Sequence, residues 1–516
     1  MLKIRRYIFV FLILAASCSQ PNSSRVLRAA FHVCPATIDP RRANDFVTST
    51  LICLIYEGFT RNLPDGSVEL ALAETVDISP DGIWYTFHLR KASWSDGTPI
   101  TAYDFERSWK QGIGPLPCLS VHLFYPIKHC EAIVKGEKPL SDIGIHALDE
   151  KTLRVELERP CPYFLSLTAF PCFLPVASHL IDKDIDQHRP ICVNGPFYIE
   201  TMSVHSSILL KKNPLFWNQK NVLLDGIDIQ IVPNETTALH LFEQGKLDWI
   251  GGALSPLPPD AIEYLKEKNT FQTSPMAATT FCTFNTTRSP LHNAKIRKAL
   301  SLSMNRAEIA QQLGQMNATR YLPPALIEGE KKLSDFSYKP LEAKALLEEG
   351  LKELGLECLP PLTLLFRSHA TDKQTAQILQ IQWQKILGLK IQLQETDYKT
   401  HREVLQTRNY DLALSHWIAQ YYDPMNILER FKDPKNLKNY PAWHSEHFAK
   451  QLELAATALL PGTRSECIEK AEELITEEMP LAPIYHWTHM SLCQPRLHNL
   501  SITPTGGVLF ERAFIE

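Results

Sequence analysis

Ser79-Pro80-Asp81-Gly82, then Ile83-Trp84-Tyr85-Thr86-Phe87-His88-Leu89-Arg90, then Trp94-Ser95-Asp96-Gly97-Thr98-Pro99 and Thr101-Ala102-Tyr103-Asp104-Phe105, is the stretch that decides the fold. Ser-Pro-Asp-Gly is a turn, because Pro presets φ and Gly accepts φ > 0. Ile83, Tyr85, Phe87 and Leu89 alternate with Trp84, Thr86, His88 and Arg90, the period of a half-buried strand. Trp94 to Pro99 is a second turn, in which Asp can bond its own backbone. Thr101 or Ala102 then leads into a helix at Asp104.

The same alternation of strands and helices continues outward. Leu153, Val155 and Leu157 against Arg154, Glu156 and Glu158 predict a strand stopped by Pro160. Ile227, Ile229 and Ile231 predict another, ended by Pro233. Asn293 caps a helix from Ala294 to Met304, and Pro340 opens one running through Leu351. Thr371 to Leu387 predicts a helix closed by Gly388, followed at once by a strand from Leu389 to Leu393. Such a junction belongs to mixed α/β architecture. No internal repeat or low-complexity tract interrupts the pattern.

The N-terminus sets an expected compartment. Lys3, Arg5 and Arg6 precede a short apolar run from Tyr7 to Ala16, and Ala15-Ala16-Ser17 leads into Cys18. The run is too short to span a bilayer, so it reads as a signal peptide. A cysteine after small residues matches the bacterial lipoprotein signal, with Cys18 as the acylated residue that holds the domain at a membrane. The expected location is therefore the periplasm or cell envelope. The 516 residues call for two or three domains. A net charge of −4 with scattered Lys and Arg gives no nucleic-acid footprint. Eleven cysteines follow Cys18 without regular spacing; pairing of some, or free buried thiols, are both open.

No phosphate-binding loop, nucleophile elbow or His-Glu-x-x-His motif is present. His444 and His447, like His486 and His489, stand three apart, a spacing usable by a metal on a helix. Neither pair has a companion ligand set, so no metal site and no cofactor is expected.

Collinear motifs then carry a resemblance. They are Ile38-Asp39-Pro40, Leu54 to Arg61, Pro64-Asp65-Gly66, Leu72-Ala73-Glu74 and the stretch quoted above. They continue with Val193-Asn194-Gly195-Pro196-Phe197-Tyr198, Phe216-Trp217-Asn218, Asn285 with Ile296 to Leu300, Tyr410 to Ala413, Trp417 and Pro483-Ile484-Tyr485. In these the chain resembles the peptide and nickel family of extracellular solute-binding proteins (family 5), most of all its oligopeptide-binding members. The resemblance implies an α/β, two-lobed periplasmic-binding-protein-like fold of the class II type with an extra inserted domain. Beyond the signal segment and acylated cysteine of 1–18, it implies a first lobe from 19–56, 190–278 and 488–516, an inserted domain over 57–189, and a second lobe over 279–487. It further implies capture of an extended peptide between the lobes, bonded through its main chain, and delivery to the permease subunits of an ABC transporter.

By position, the resemblance makes Cys34, Pro35, Tyr398, His416, Trp417, Ile418, Gln420 and Tyr485 ligand-binding candidates. Asn285 takes a structural place near the crossing between lobes. Two positions depart from the family's pattern. Where oligopeptide binders carry an aspartate for the peptide's α-ammonium, this chain has Gln420; where they carry an arginine, it has Leu414. A glutamine supplies no charge, and losing one partner of a buried pair costs about 3–5 kcal/mol. Three explanations stand open: Asp423 takes over the ammonium, the ligand lacks a free amino end, or main-chain contacts alone suffice. A receptor for murein peptides, nickel or haem is the alternative within the family, metal chelates being favoured if His416 faces the cleft beside another ligand. A hydrolase or chaperone on the same fold is the alternative outside it.

Overall fold

The computed structural model describes residues 25–180, 192–327 and 336–516, apart from residues 116, 204 and 459. The expected leader and Cys18 lie outside the described residues.

The opening motif folds as its residues dictate. The strand Trp84–Leu89 alternates partly and fully buried residues along its length. Gly97 holds φ +88°, and Asp96 accepts from the Thr98 N–H at 2.9 Å and from its hydroxyl at 2.7 Å. The helix Ala102–Ile113 starts where the Asp104 carboxylate reaches back to the Thr101 N–H at 2.8 Å. Asp104 also accepts from Trp94 Nε1 at 3.3 Å and from the Ser178 N–H at 2.8 Å. Ser95 trades backbone and hydroxyl bonds with Val193, and Asn194 bonds both backbone groups of Glu57. The recurring motifs are thus structural cement: they tie segments distant in sequence to one another.

An eleven-stranded mixed sheet organises the molecule. Its order is Ile391–Thr396, Leu362–Arg367, Leu412–Ile418, Phe271–Phe284, Leu481–Cys493, Trp249–Gly251, Val26–Phe31, Gly226–Ile231, Ser207–Lys212 and Phe197–Ser203, with Met316–Asn317 paired off this path to Leu481–Cys493. Leu362–Arg367 and Ile391–Thr396 pair in parallel, joined by the helix Ala370–Leu387, whose end is Gly388 at φ +69°. That is the predicted helix-to-strand junction. A separate four-stranded antiparallel sheet, Ala73–Ile78, Trp84–Leu89, Thr152–Glu156 and Ile145–Ala147, packs against the helix Ala102–Ile113.

Two large apolar cores lie along the main sheet. One contains Leu27, Phe31, Ile227, Ile229, Trp249 and, continuous with them, Phe59, Phe87, Phe105 and Trp109. The other contains Phe281, Leu300, Leu364, Trp383, Leu414 and Ile484. The 14-residue strand Phe271–Phe284 and the 13-residue strand Leu481–Cys493 pair antiparallel and run from one side of the sheet to the other. Their ladder breaks between Pro275↔Thr488 and Thr279↔His486, where Ala277 instead bonds Pro504 and Ala419. Pro275 has no N–H to give, so a bulge at this place follows from the sequence.

All eleven cysteines among the described residues are free thiols, eight of them buried. His486 and His489 sit on a strand and not a helix, so their spacing of three sends them to opposite faces. Among the described residues no helix is long and apolar enough to cross a membrane.

Candidate functional site

The strand Leu412–Ile418 delivers the segment that sequence reasoning singled out, and the chain leaves the sheet at Ala419. Residues 417–424 then stand across a cleft from residues 120–171. Three contacts close the distance. The rings of Tyr163 and Tyr421 stack at 4.9 Å, His122 Nε2 lies 3.1 Å from Gln420 Oε1, and Arg159 lies 3.5 Å from Glu429.

Two cavities meet at Gln420, which lines both. One, of about 260 Å³, is walled by Ser49, Cys53, Glu57, Phe170 and Glu511 and closed by Ile418 and Gln420. The other, of about 570 Å³, is walled by His122, Arg159, Tyr163, Trp417, Arg430 and Lys438.

Each predicted residue has a definite place. Trp417 donates its Nε1–H to Asn426 Oδ1 at 2.9 Å and lies beneath the Arg430 guanidinium, 4.3 Å from its ring centroid. The same Asn426 oxygen accepts the Gln420 N–H at 3.1 Å, so one side chain fixes both. Ile418 is half-buried at the end of the strand, paired with Ala278. His416 points the other way. Its Nε2 meets Asp372 at 3.0 Å and its Nδ1 meets Thr280 Oγ1 at 2.9 Å, so both ring nitrogens are in use. Burial pulls the His416 ring down, against the pull of Asp372. Burial works against charge on Asp372 too, yet His416 and Arg367 hold it well below the usual carboxylate range.

The other four candidates do not reach the cavities. Tyr485 is buried in the second core, Tyr398 is exposed at the start of the helix Tyr398–Thr407, and Cys34 and Pro35 lie after the strand Val26–Phe31. None lines either cavity. Leu414 is fully buried, and Asn285 bonds the backbone of Arg408 and Tyr410, a structural role as expected.

Several wall residues were not singled out from sequence. Glu57 is buried with its carboxylate on Trp217 Nε1 and Arg61, and burial pushes it up to about 7. His122, Arg430 and Lys438 come from three separate segments of ordinary composition. Among the described residues one set of potential metal ligands converges, Asp96, His179 and Cys192. It lines neither cavity.

Comparison with known proteins agrees with this architecture. The family described as "Bacterial extracellular solute-binding proteins, family 5 Middle" matches residues 67–439. The oligopeptide-binding protein OppA of Bacillus subtilis is 33% identical over 93% of this chain and 91% of its own length. A murein tripeptide-binding protein, MppA, solved in its unliganded open form, superposes with a TM-score of 0.82 at 25% identity, over 96% of this chain and 98% of its own. OppA of Listeria monocytogenes, solved with a bound peptide, superposes with a TM-score of 0.75 at 26% identity, over 96% of this chain and 99% of its own. The molecule has the two-lobed α/β fold of these periplasmic binding proteins. The chain belongs to family 5 of the bacterial extracellular solute-binding proteins.

Proposed function

We propose that this protein is the extracytoplasmic receptor of an ABC-type peptide importer. It binds an oligopeptide, or a close relative of one, in the cleft beside residues 417–420 and presents it to the permease subunits. The observation that carries this reading is the placement of Gln420, which lies two residues past the strand Leu412–Ile418 and stands between two cavities at the seam of the molecule. Relatives named for oligopeptide and murein-peptide binding share the fold over nearly the whole chain.

The reading divides the chain into a first lobe of 19–56, 190–278 and 488–516, an inserted domain of 57–189 and a second lobe of 279–487. Two separate cores bridged by two long strands support the split between the two lobes. Trp417, Ile418 and Gln420 contact the ligand. His416, tied to Asp372 and Thr280, holds the strand in place behind them, which weakens the metal-chelate alternative. Cys18 anchors the protein to a membrane by its acyl chains, and the protein carries no chemistry of its own.

Mass spectrometry of ligand carried through purification tests the reading, together with thermal shift against peptide pools. A ligand at 100 times its Kd stabilises the fold by about 2.7 kcal/mol. Peptides in the extract and a shift with peptides are expected. Turnover of a bound peptide, or a shift only with nickel or haem, overturns it. Fatty-acid labelling that survives Cys18→Ser overturns the anchor.

A further inference from the structure

The Gln420 side-chain oxygen is already engaged. With Nε2 protonated, His122 donates to Gln420 Oε1 at 3.1 Å, so the carboxamide NH₂ of this cavity-lining residue is the group it has to offer a ligand. His122 is held neutral: burial lowers it, and the Lys438 ammonium lowers it further. Position 420 itself therefore supplies no carboxylate for an α-ammonium.

Cations without carboxylates fill the same corner. Arg430 is 5% exposed; among the described residues its Nε has no partner, and its side chain hydrogen-bonds only the neutral Tyr321 hydroxyl, at 3.4 Å. It otherwise lies over the rings of Trp417, Phe431 and Phe281 at 4.3, 4.5 and 5.5 Å. Lys438 Nζ is 5.5 Å from the Trp417 centroid, and its charged neighbours, Arg430 and Arg402, are both positive. Acidic groups also line this cavity, but each has its own partner. Glu131 is on Lys135 at 2.8 Å, Glu429 is beside Arg159 at 3.5 Å, and Glu158 accepts the His129 N–H at 2.9 Å. Among the described residues, no carboxylate is in ion-pair contact with Arg430 or Lys438. A buried cation is ordinarily paired, so Arg430, left without a carboxylate beside a cavity and next to the half-buried Lys438, is placed to meet an anion.

We infer that the Gln420 end of the cleft receives a ligand carboxylate, so the preferred ligand is a peptide that presents an anionic end there and not an ammonium. The inference rests on the peptide-receptor reading. It makes Gln420, Arg430 and Lys438 one recognition site: two amide N–H donors beside a guanidinium and an ammonium, on a floor of Trp417. The carboxylate has two possible sources. It is the peptide's own α-carboxylate, with the chain running opposite to an amine-first peptide, or it is carried on an acyl group attached to the amino end.

Calorimetry on the mature protein with four trialanine probes separates these outcomes. The probes are N-acetyl-trialanine acid, N-succinyl-trialanine amide, N-acetyl-trialanine amide and unblocked trialanine amide. At least one of the two acids is expected to bind tenfold or more tightly than the neutral amide, and which acid does so names the source. The unblocked amide, which is cationic, is expected to bind weakest. Lys438→Met is expected to shrink the acid-over-amide preference by about tenfold while its melting temperature stays within the wild-type range. Peptides that bind without discrimination by charge, or a preference that survives Lys438→Met, overturn the inference and leave the peptide receptor standing. Failure of all four to bind overturns both.

Discussion

Arg464 Nη2 donates to Asp423 Oδ1 at 2.7 Å, and the same carboxylate oxygen accepts the Met425 N–H at 2.9 Å. Asp423 already has its cation. Of the explanations for the missing aspartate at position 420, the one that hands the ligand's ammonium to Asp423 therefore asks a committed carboxylate to serve twice. Both side chains of the pair are largely enclosed. Burial raises Asp423 and Arg464 lowers it again, so the charge depends on the partner.

Arg464→Met should strand that carboxylate and cost about 3–5 kcal/mol, read as a shift of the urea midpoint at pH 7. Adding Asp423→Asn should recover much of the loss, since the pair then disappears as a unit. A single-variant cost below about 1 kcal/mol would show that the pair is not structural.

Gln420→Asp should tighten an unblocked tri- or tetrapeptide about tenfold in calorimetry, by restoring the countercharge that a peptide ammonium needs. The same variant should weaken any ligand held through a carboxylate. An unchanged affinity for unblocked peptide would argue that the amino end is gripped elsewhere.

Glu57 should give stability a falling limb with pH. Burial pushes it up to about 7, against Arg61 and the Trp217 N–H, from an ordinary value near 4.5. Between those values the folded protein keeps a proton that the unfolded chain has lost, so stability declines as pH rises, by about 1.4 kcal/mol per pH unit. Above pH 7 the contribution is flat. Glu57→Gln keeps an acceptor for Trp217 and should abolish the limb; parallel wild-type and variant curves between pH 5 and 7.5 would refute it.

His489 should act with the opposite sign. Neither ring nitrogen has a partner, the ring stacks on Trp249, and burial lowers it to about 4. Below pH 6.5 the unfolded chain takes up a proton that the folded one refuses, so stability present above 6.5 drains away toward pH 4. His489→Phe should therefore stabilise the fold, by an amount that grows as pH falls through this window. Denaturant midpoints at pH 6.5 and 4.5 measure it, and a constant difference would count against the buried neutral ring.

What was legible in the sequence follows a physical boundary. The turn at Asp96-Gly97, the strand ending at Leu89 and the caps at Asn293 and Gly388 are decided by neighbours along the chain, and they fold as read. Gln420 was found because its departure from a pattern is local too. Arg430 and Lys438 were not, because each looks like an ordinary surface charge until Trp417 packs beside it. Glu57 was quoted as part of a motif, but its burial depends on Trp217 and Asn194, far along the chain. The His486 and His489 spacing was read on a helical period and set aside for want of further ligands; the residues lie on a strand, where that period does not apply.

The pairing of Val26–Phe31 with Gly226–Ile231 has a consequence for biogenesis. Val26 has no strand partner until Gly226 has been synthesised, and Trp249, the partner of Ala29 on the strand's other edge, comes later still. At roughly 5–20 residues per second, the first strand waits on the order of 10–40 s with its edges bare. The high contact order of this sheet makes folding slow and late, with the last long strand of the sheet, Leu481–Cys493, arriving near the end of synthesis.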